Sequence, residues 1–223
     1  MRSTVLRSLL ALALFSILHS ALAALPAKRR ASALAGSRRT AGLYRIFYVA
    51  QAAVSTALLA GYLWSLPDRL LYRVQGWPRA VMFAGQAIAA TAIVAVGIQV
   101  GPAQFTGLPQ LLDLLAGRPI RPVVVAQHPV PAGTNLEWSG PFRFSRHPNN
   151  YFPLMAWWLS PVMTVKWASV GLGAAVYMML GSLHEERRLS LAYGQRFRHY
   201  QRQVPHLIDP FAIVPRGADL QRK

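Results

Sequence analysis

Two clusters of residues in the carboxy-terminal half carry most of the chemistry this chain could perform. The first is Glu185-Glu186, inside His184-Glu185-Glu186-Arg187-Arg188. The chain has only 7 acidic residues, and the others, Asp68, Asp113, Glu137, Asp209 and Asp219, read as solvated charges of loops and tail. Successive helical residues point about 100° apart, so one glutamate can face inward and hold a cation while the other meets water or Arg187. The plainer alternative is an interfacial cap neutralised by Arg188, three residues beyond Glu185. The second cluster is Gly140-Pro141-Phe142-Arg143-Phe144-Ser145-Arg146-His147-Pro148-Asn149-Asn150-Tyr151. Arginine neutralises a carboxylate or phosphate with paired hydrogen bonds, and asparagine both donates and accepts. Pro148 suits the first turn of a helix, where a missing amide proton costs nothing. The plainer alternative here is an anchor of Arg and Tyr beside lipid headgroups. A third set, Leu189, Tyr193, Phe197 and Tyr200, recurs at spacings of four, four and three between Arg196, Arg198 and Arg202, and leads into Val204-Pro205. That spacing predicts an amphipathic helix, either lying on the inner leaflet or covering a site beneath it.

The elements that must position these clusters are membrane helices. A chain of 223 residues that is 53% hydrophobic but only 14% charged, with mean hydropathy +0.28, departs from the composition of a soluble domain. The absence of cysteine excludes disulfides, thiolate metal sites and cysteine nucleophiles, so a metal would need histidine and carboxylate. Apolar runs near 5–25, 46–64 and 80–100 approach the roughly 20 residues that cross a bilayer. The first also resembles a signal peptide, with Arg2 and Arg7 before it and Ala21 and Ala23 at its end. From Phe152 to Leu183 the run is too long for one typical helix. Pro161 and Lys166 place a turn in it, which predicts a hairpin with arms near 148–161 and 166–184, the first arm short and crossing the membrane only in part. The expected architecture is an all-α polytopic bundle of about five transmembrane helices, ending in that hairpin and a cytoplasmic amphipathic helix. Its divisions are three amino-terminal spans (1–100), a Pro-rich cytoplasmic connection (101–138), a core (139–209) and a flexible basic tail (210–223).

Charge tests the count. The formal balance is +17, from 24 Lys and Arg against 7 acids. With five spans, eighteen of the basic residues fall after spans one, three and five, and six fall on the other side. The positive-inside rule then puts the amino terminus outside and the carboxyl terminus in the cytoplasm, in a membrane such as the bacterial inner membrane. Basic residues that sort by membrane side rather than onto one soluble face argue against a nucleic-acid partner.

Read together, the three clusters resemble the integral-membrane methyltransferases, the group containing isoprenylcysteine carboxyl methyltransferase and the phospholipid N-methyltransferases. The shared pattern appears as Gly140-Pro141-Phe142-Arg143-Phe144, Arg146-His147-Pro148, a hydrophobic hairpin, Glu185-Glu186, Gly194, Phe197, Tyr200 and Val204-Pro205, over about residues 139–209. The bacterial NnrU-like and methanethiol S-methyltransferase-like branches are nearest, and they also resemble the Leu18-His19-Ser20 and Gly107-Leu108-Pro109-Gln110 segments. The resemblance implies S-adenosylmethionine as methyl donor, bound without a Rossmann domain; no Gly-x-Gly-x-x-Gly follows a strand here. It implies a cofactor site of His147, Pro148, Asn149, Asn150, Tyr151, Glu185, Glu186, Tyr193 and Tyr200, with Arg143 or Arg146 meeting the cofactor carboxylate or an acidic substrate. One departure is Asn149-Asn150 before Tyr151, where the family places an aromatic two positions after the proline.

Methyl transfer from a sulfonium is an in-line displacement, so the protein must align donor and acceptor within about 3 to 3.5 Å and exclude water. No general base, catalytic residue or metal ligand is assigned on this reading. The expected partners are the lipid bilayer and a small thiol or lipophilic methyl acceptor. The alternative is a non-enzymatic NnrU-like accessory protein that binds haem or metal through His19, His147 and His184.

Overall fold

The computed structural model describes residues 2–122 and 140–207. In chain order the elements are α1 (Arg2–Ala23), α2 (Leu25–Ala35), α3 (Ser37–Ser65), β1 (Leu70–Arg73), α4 (Trp77–Val100), α5 (Pro102–Thr106) and α6 (Leu108–Leu115). A 3-10 turn at Gly140–Arg143 is followed by α7 (Pro148–Trp158), β2 (Val162–Thr164), α8 (Val165–Tyr193) and α9 (Gln195–Gln203). The architecture is all-α; among the described residues the strands are two short pieces that pair with each other. The tail at 210–223, and residues 123–139 of the Pro-rich connection, lie outside the described residues.

Proline and glycine set the breaks between helices. Pro26 opens α2 directly after α1, and Gly36, with φ +85, separates α2 from α3. Gly107, with φ +83, separates α5 from α6.

The chain divides into two compact units. Among the described residues the first comprises 2–71, 100–122 and 164–173. Here α3 packs on α1, α2, α5 and α6. Gly42 lets α6 close on α3, because a Cβ at that position would meet Leu114 Cβ at 2.7 Å. Gly173, early in α8, admits Leu12 of α1 in the same way. Lys166, whose charge called for a turn, finds its partners there: its Nζ donates to Leu66 O at 3.0 Å and lies 3.6 Å from Asp68 Oδ2.

Among the described residues the second unit comprises 72–99, 140–163 and 174–207. Within it Gly85 of α4 gives room to Leu159, and Gln86 Nε2 donates to Ala156 O. Asn150 of α7 reaches Met178 O on α8, which fixes the hairpin.

Among the described residues three helices, α1, α3 and α4, are long and apolar enough to cross a membrane. Large apolar side chains on them are exposed, among them Leu14, Leu58 and Ile98, as lipid-facing surfaces require.

The boundaries expected for the carboxy-terminal half need correction. The first hairpin arm is short, as expected, and ends before 161: α7 has 11 residues, about 16 Å of helix against a hydrocarbon core of about 30 Å. The second arm does not stop at 184, since α8 runs on to Tyr193 and carries Glu185 and Glu186 inside a continuous helix. The single amphipathic helix is two. Gly194, with φ +55, breaks it, leaving Leu189 and Tyr193 on α8 and Phe197 and Tyr200 on α9. The aromatic stripe survives the bend, because Phe197, Tyr200 and Val204 form a buried cluster against which Leu189 and Tyr193 pack.

Candidate functional site

The polar groups of the second unit converge where the entry to α7 meets the glutamate turn of α8. The entry is an irregular strap. Phe144 and Ser145 fold back on Pro141 O, Arg146 N donates to Pro205 O at 3.0 Å, and His147 N donates to Ser145 Oγ at 3.1 Å. His147 then caps α7, its carbonyl receiving the amides of Asn150 and Tyr151, and Pro148 fills the first helical position, buried.

Glu186 is the centre. Its Oε1 accepts from Arg146 Nε at 2.7 Å and lies 3.0 Å from both His147 Nε2 and His206 Nδ1; its Oε2 accepts from Gln201 Nε2 at 2.9 Å. An ionised carboxylate only accepts, so both imidazoles present N–H to it. Arg146 spends its remaining capacity on backbone, with Nη1 donating to Gln201 O at 3.0 Å and Val204 O at 2.6 Å. The Arg146 and Glu186 side chains are 13% and 11% exposed, so this is a nearly dry ion pair. Burial alone would raise the Glu186 pKa; the hydrogen bonds from Arg146, His147 and Gln201 and the Arg146 charge outweigh it and hold the carboxyl at about 2.

The other expected residues sit around this hub. Glu185 is 35% exposed, its Oε2 3.6 Å from His147 Nδ1, and Arg188 makes no ion pair with it. Asn149 and Arg143 are exposed, while Asn150, Tyr151 and Tyr193 are half-buried. Tyr200 is buried and its hydroxyl donates to Phe142 O at 2.7 Å, tying α9 to the 3-10 turn. Burial first, opposed by Arg146 and reinforced by Glu186, raises that phenol's pKa, so it remains a neutral donor.

Sequence reasoning missed His206, Gln201 and Ser182. His206 Nε2 lies 2.9 Å from Ser182 Oγ, its backbone carbonyl accepts from Ser145 Oγ, and its ring stands 4.7 Å from that of His147. The signal was present as a histidine directly after Val204-Pro205. Of the histidines first considered for a metal, His147 lies in this cluster and the other two lie elsewhere. His184 is exposed, and His19, in the first unit, pairs with the Tyr48 hydroxyl. Among the described residues the group able to hold a metal is His147, Glu186 and His206. A dication there would sit beside the Arg146 guanidinium, already 2.7 Å from the shared oxygen, so the cluster is better suited to hydrogen bonding than to metal binding.

Curated relatives add an independent line. The chain is 29% identical over 116 residues to methanethiol S-methyltransferase of Pseudomonas deceptionensis, covering 52% of this chain and 40% of that one. It is 31% identical over 80 residues to the protein of that name from Crocosphaera subtropica (35% and 31% covered), and 34% over 67 residues to the one from Mycobacterium tuberculosis (30% and 28%). The chain resembles the membrane methyltransferases. It spans less than half the length of the methyltransferases it matches. No family model matches the chain, and no solved structure matches it.

Proposed function

We propose that this chain is an integral-membrane methyltransferase that transfers the methyl group of S-adenosylmethionine to a small thiol or lipophilic acceptor. The observation that carries this reading is the meeting of Arg146-His147-Pro148 with Glu185-Glu186 in one cluster, in a chain whose relatives are named methanethiol S-methyltransferases. The side chains left accessible around the cluster suit the cofactor chemically. The Glu185 carboxylate matches an ammonium, Arg143 a carboxylate, and the amides of Asn149 and Asn150 match ribose hydroxyls. When bound, the sulfonium supplies an activated methyl with a neutral leaving group.

The chain's own part is to bind, orient and keep water out. Glu186 is saturated, so its role is to hold His147 and Arg146 in place; Glu185, on the next helical position, is the carboxylate that binds. Arg146 positions the α9 end through the Gln201 and Val204 carbonyls rather than contacting substrate. The apolar shell of Phe197, Tyr200 and Val204 excludes water from one side of the cluster. No residue is assigned as a general base, since a thiolate or carboxylate acceptor arrives ionised. The cytoplasmic placement of this end follows from the basic residues that flank it.

Titration calorimetry of the full chain in lipid nanodiscs with S-adenosylmethionine should show one saturable site. Glu185→Gln should weaken it about tenfold or more, with helical content unchanged. A folded sample that binds nothing overturns the reading. A screen of labelled methyl transfer into thiol, phospholipid and prenyl-cysteine acceptors would then name the acceptor.

A further inference from the structure

Helices α1 and α3 run antiparallel and are held together at one end, where the Tyr44 hydroxyl donates to Leu22 O at 2.7 Å and the Tyr48 hydroxyl lies 2.6 Å from His19 Nε2. Beyond these bonds a groove of about 490 Å³ lies between the two helices, walled by Leu14 and Leu18 of α1 and by Leu58 and Leu59 of α3, with Arg7 and Tyr62 at its far end. The tightly packed face of α1 is a different one: Thr4, Ser8 and Leu12 are buried, and Leu12 meets Gly173 of α8. The groove asks for nothing polar along its length. Ser55, the aliphatic hydroxyl in its wall, already donates to Ala52 O and accepts from Gln51 Nε2. From Arg7 to Leu18 the helix rises about 16 Å, close to half of a hydrocarbon core of about 30 Å, so the groove is as deep as one leaflet. Its rim carries an exposed guanidinium with no carboxylate to meet among the described residues. The sequence has no Asp or Glu before Asp68, Asp68 is engaged by Lys166 and by the amide of Arg69, and Asp113 is engaged by Arg121.

We infer that this groove holds one acyl chain of a phospholipid whose phosphate is met by Arg7. Apolar space between two membrane helices is filled by hydrocarbon, and an acyl chain has the length and the chemistry required. The paired N–H donors of the guanidinium fit phosphate oxygens, and the apolar stem of the arginine lies along the chain beneath them. Tyr62, 44% exposed at the same end, suits the headgroup level, where amphipathic rings collect. The site rests on the chain's being a membrane protein and uses none of the residues of the methyl-transfer reading.

The test separates a seated lipid from the lipids that coat any membrane helix. The full chain is washed in lipid-free nonionic detergent, and native mass spectrometry counts the phospholipids retained per chain. Wild type is compared with Arg7→Gln, which removes the charge, with Ala11→Trp, which fills the groove, and with Ile98→Trp, which makes the same kind of change on the exposed face of α4. Helical content is the folding control. Wild type and Ile98→Trp are expected to keep one phospholipid per chain, Arg7→Gln about tenfold less, and Ala11→Trp almost none. A single-chain lysophospholipid added back to stripped protein should raise the melting temperature of wild type and Ile98→Trp and leave the other two little changed. Equal retention in all four proteins would mean coating lipid only and overturns the proposal. So would a wild type that keeps none and gains no stability from the lysophospholipid, or a dimer that forms in its place and is lost in Ala11→Trp, since a second copy would then fill the groove.

Discussion

Glu186 receives four side-chain donors, and each would lose its partner if the carboxylate were removed. Breaking one side of a buried ion pair typically costs about 3–5 kcal/mol, because the surviving charge stays desolvated. Glu186→Ala should therefore destabilise the chain by that order in chemical denaturation. Its neighbour, more exposed and outside the hub, is expected to matter for binding rather than stability. The same carboxyl dictates the acid response. Its folded-state value, about 2, lies below the ordinary 4.5, so its stabilising contribution is complete above the ordinary value and is lost as pH falls from about 4.5 toward 2. Melting curves across that window should drop steeply in wild type and shallowly in Glu186→Gln; equal slopes would remove Glu186 from the account. The paired glutamates were conspicuous in the sequence because acids are scarce. Which of the two faces inward was not readable, since that depends on the rotation of α8 against the strap at 144–147.

Among the helices, glycine decides what can touch. Gly42→Ala would drive a methyl group into Leu114 Cβ, 2.7 Å away, whereas Gly61, also inside α3, faces open space. The first substitution should cost about 1–3 kcal/mol by overpacking and the second should gain up to about 1 kcal/mol from helix propensity. Melting temperatures of the two variants in the same detergent give the comparison. Helix existence was plain in the apolar runs, and so was the need for a turn before Lys166. The bend between α8 and α9 was not, because the aromatic spacing carries on across it; only Gly194 marked the place, and a lone glycine is tolerated in a helix. Helix α2 was likewise missed. An 11-residue segment rich in Ala and Arg has little helical stability alone and depends on the packing α3 and α1 provide.

For the whole molecule the open quantity is which parts cross the bilayer. The absence of cysteine makes the question easy to address, since any introduced thiol is the only one present. Ser3→Cys, Val162→Cys and Arg202→Cys would report on the amino terminus, the hairpin turn and α9. With five crossings, an impermeant maleimide should label positions 3 and 162 from outside and position 202 only from the cytoplasmic face. Labelling of position 162 from the cytoplasmic face would instead make the hairpin re-entrant and reduce the count to the three helices of sufficient length and apolarity. The charge bias gives the same placement of both termini in either arrangement, so position 162 is the label that separates them. The convergence at Glu186 also sets a schedule for biosynthesis. Arg146 is made some sixty residues before the Val204 carbonyl it needs, and His206 follows last. Until residues 201–206 have emerged, the site stands open with a charged arginine at its entrance. The translocon or a chaperone must tolerate that unfinished pocket, and a nascent chain stalled before residue 204 should be handed to quality control.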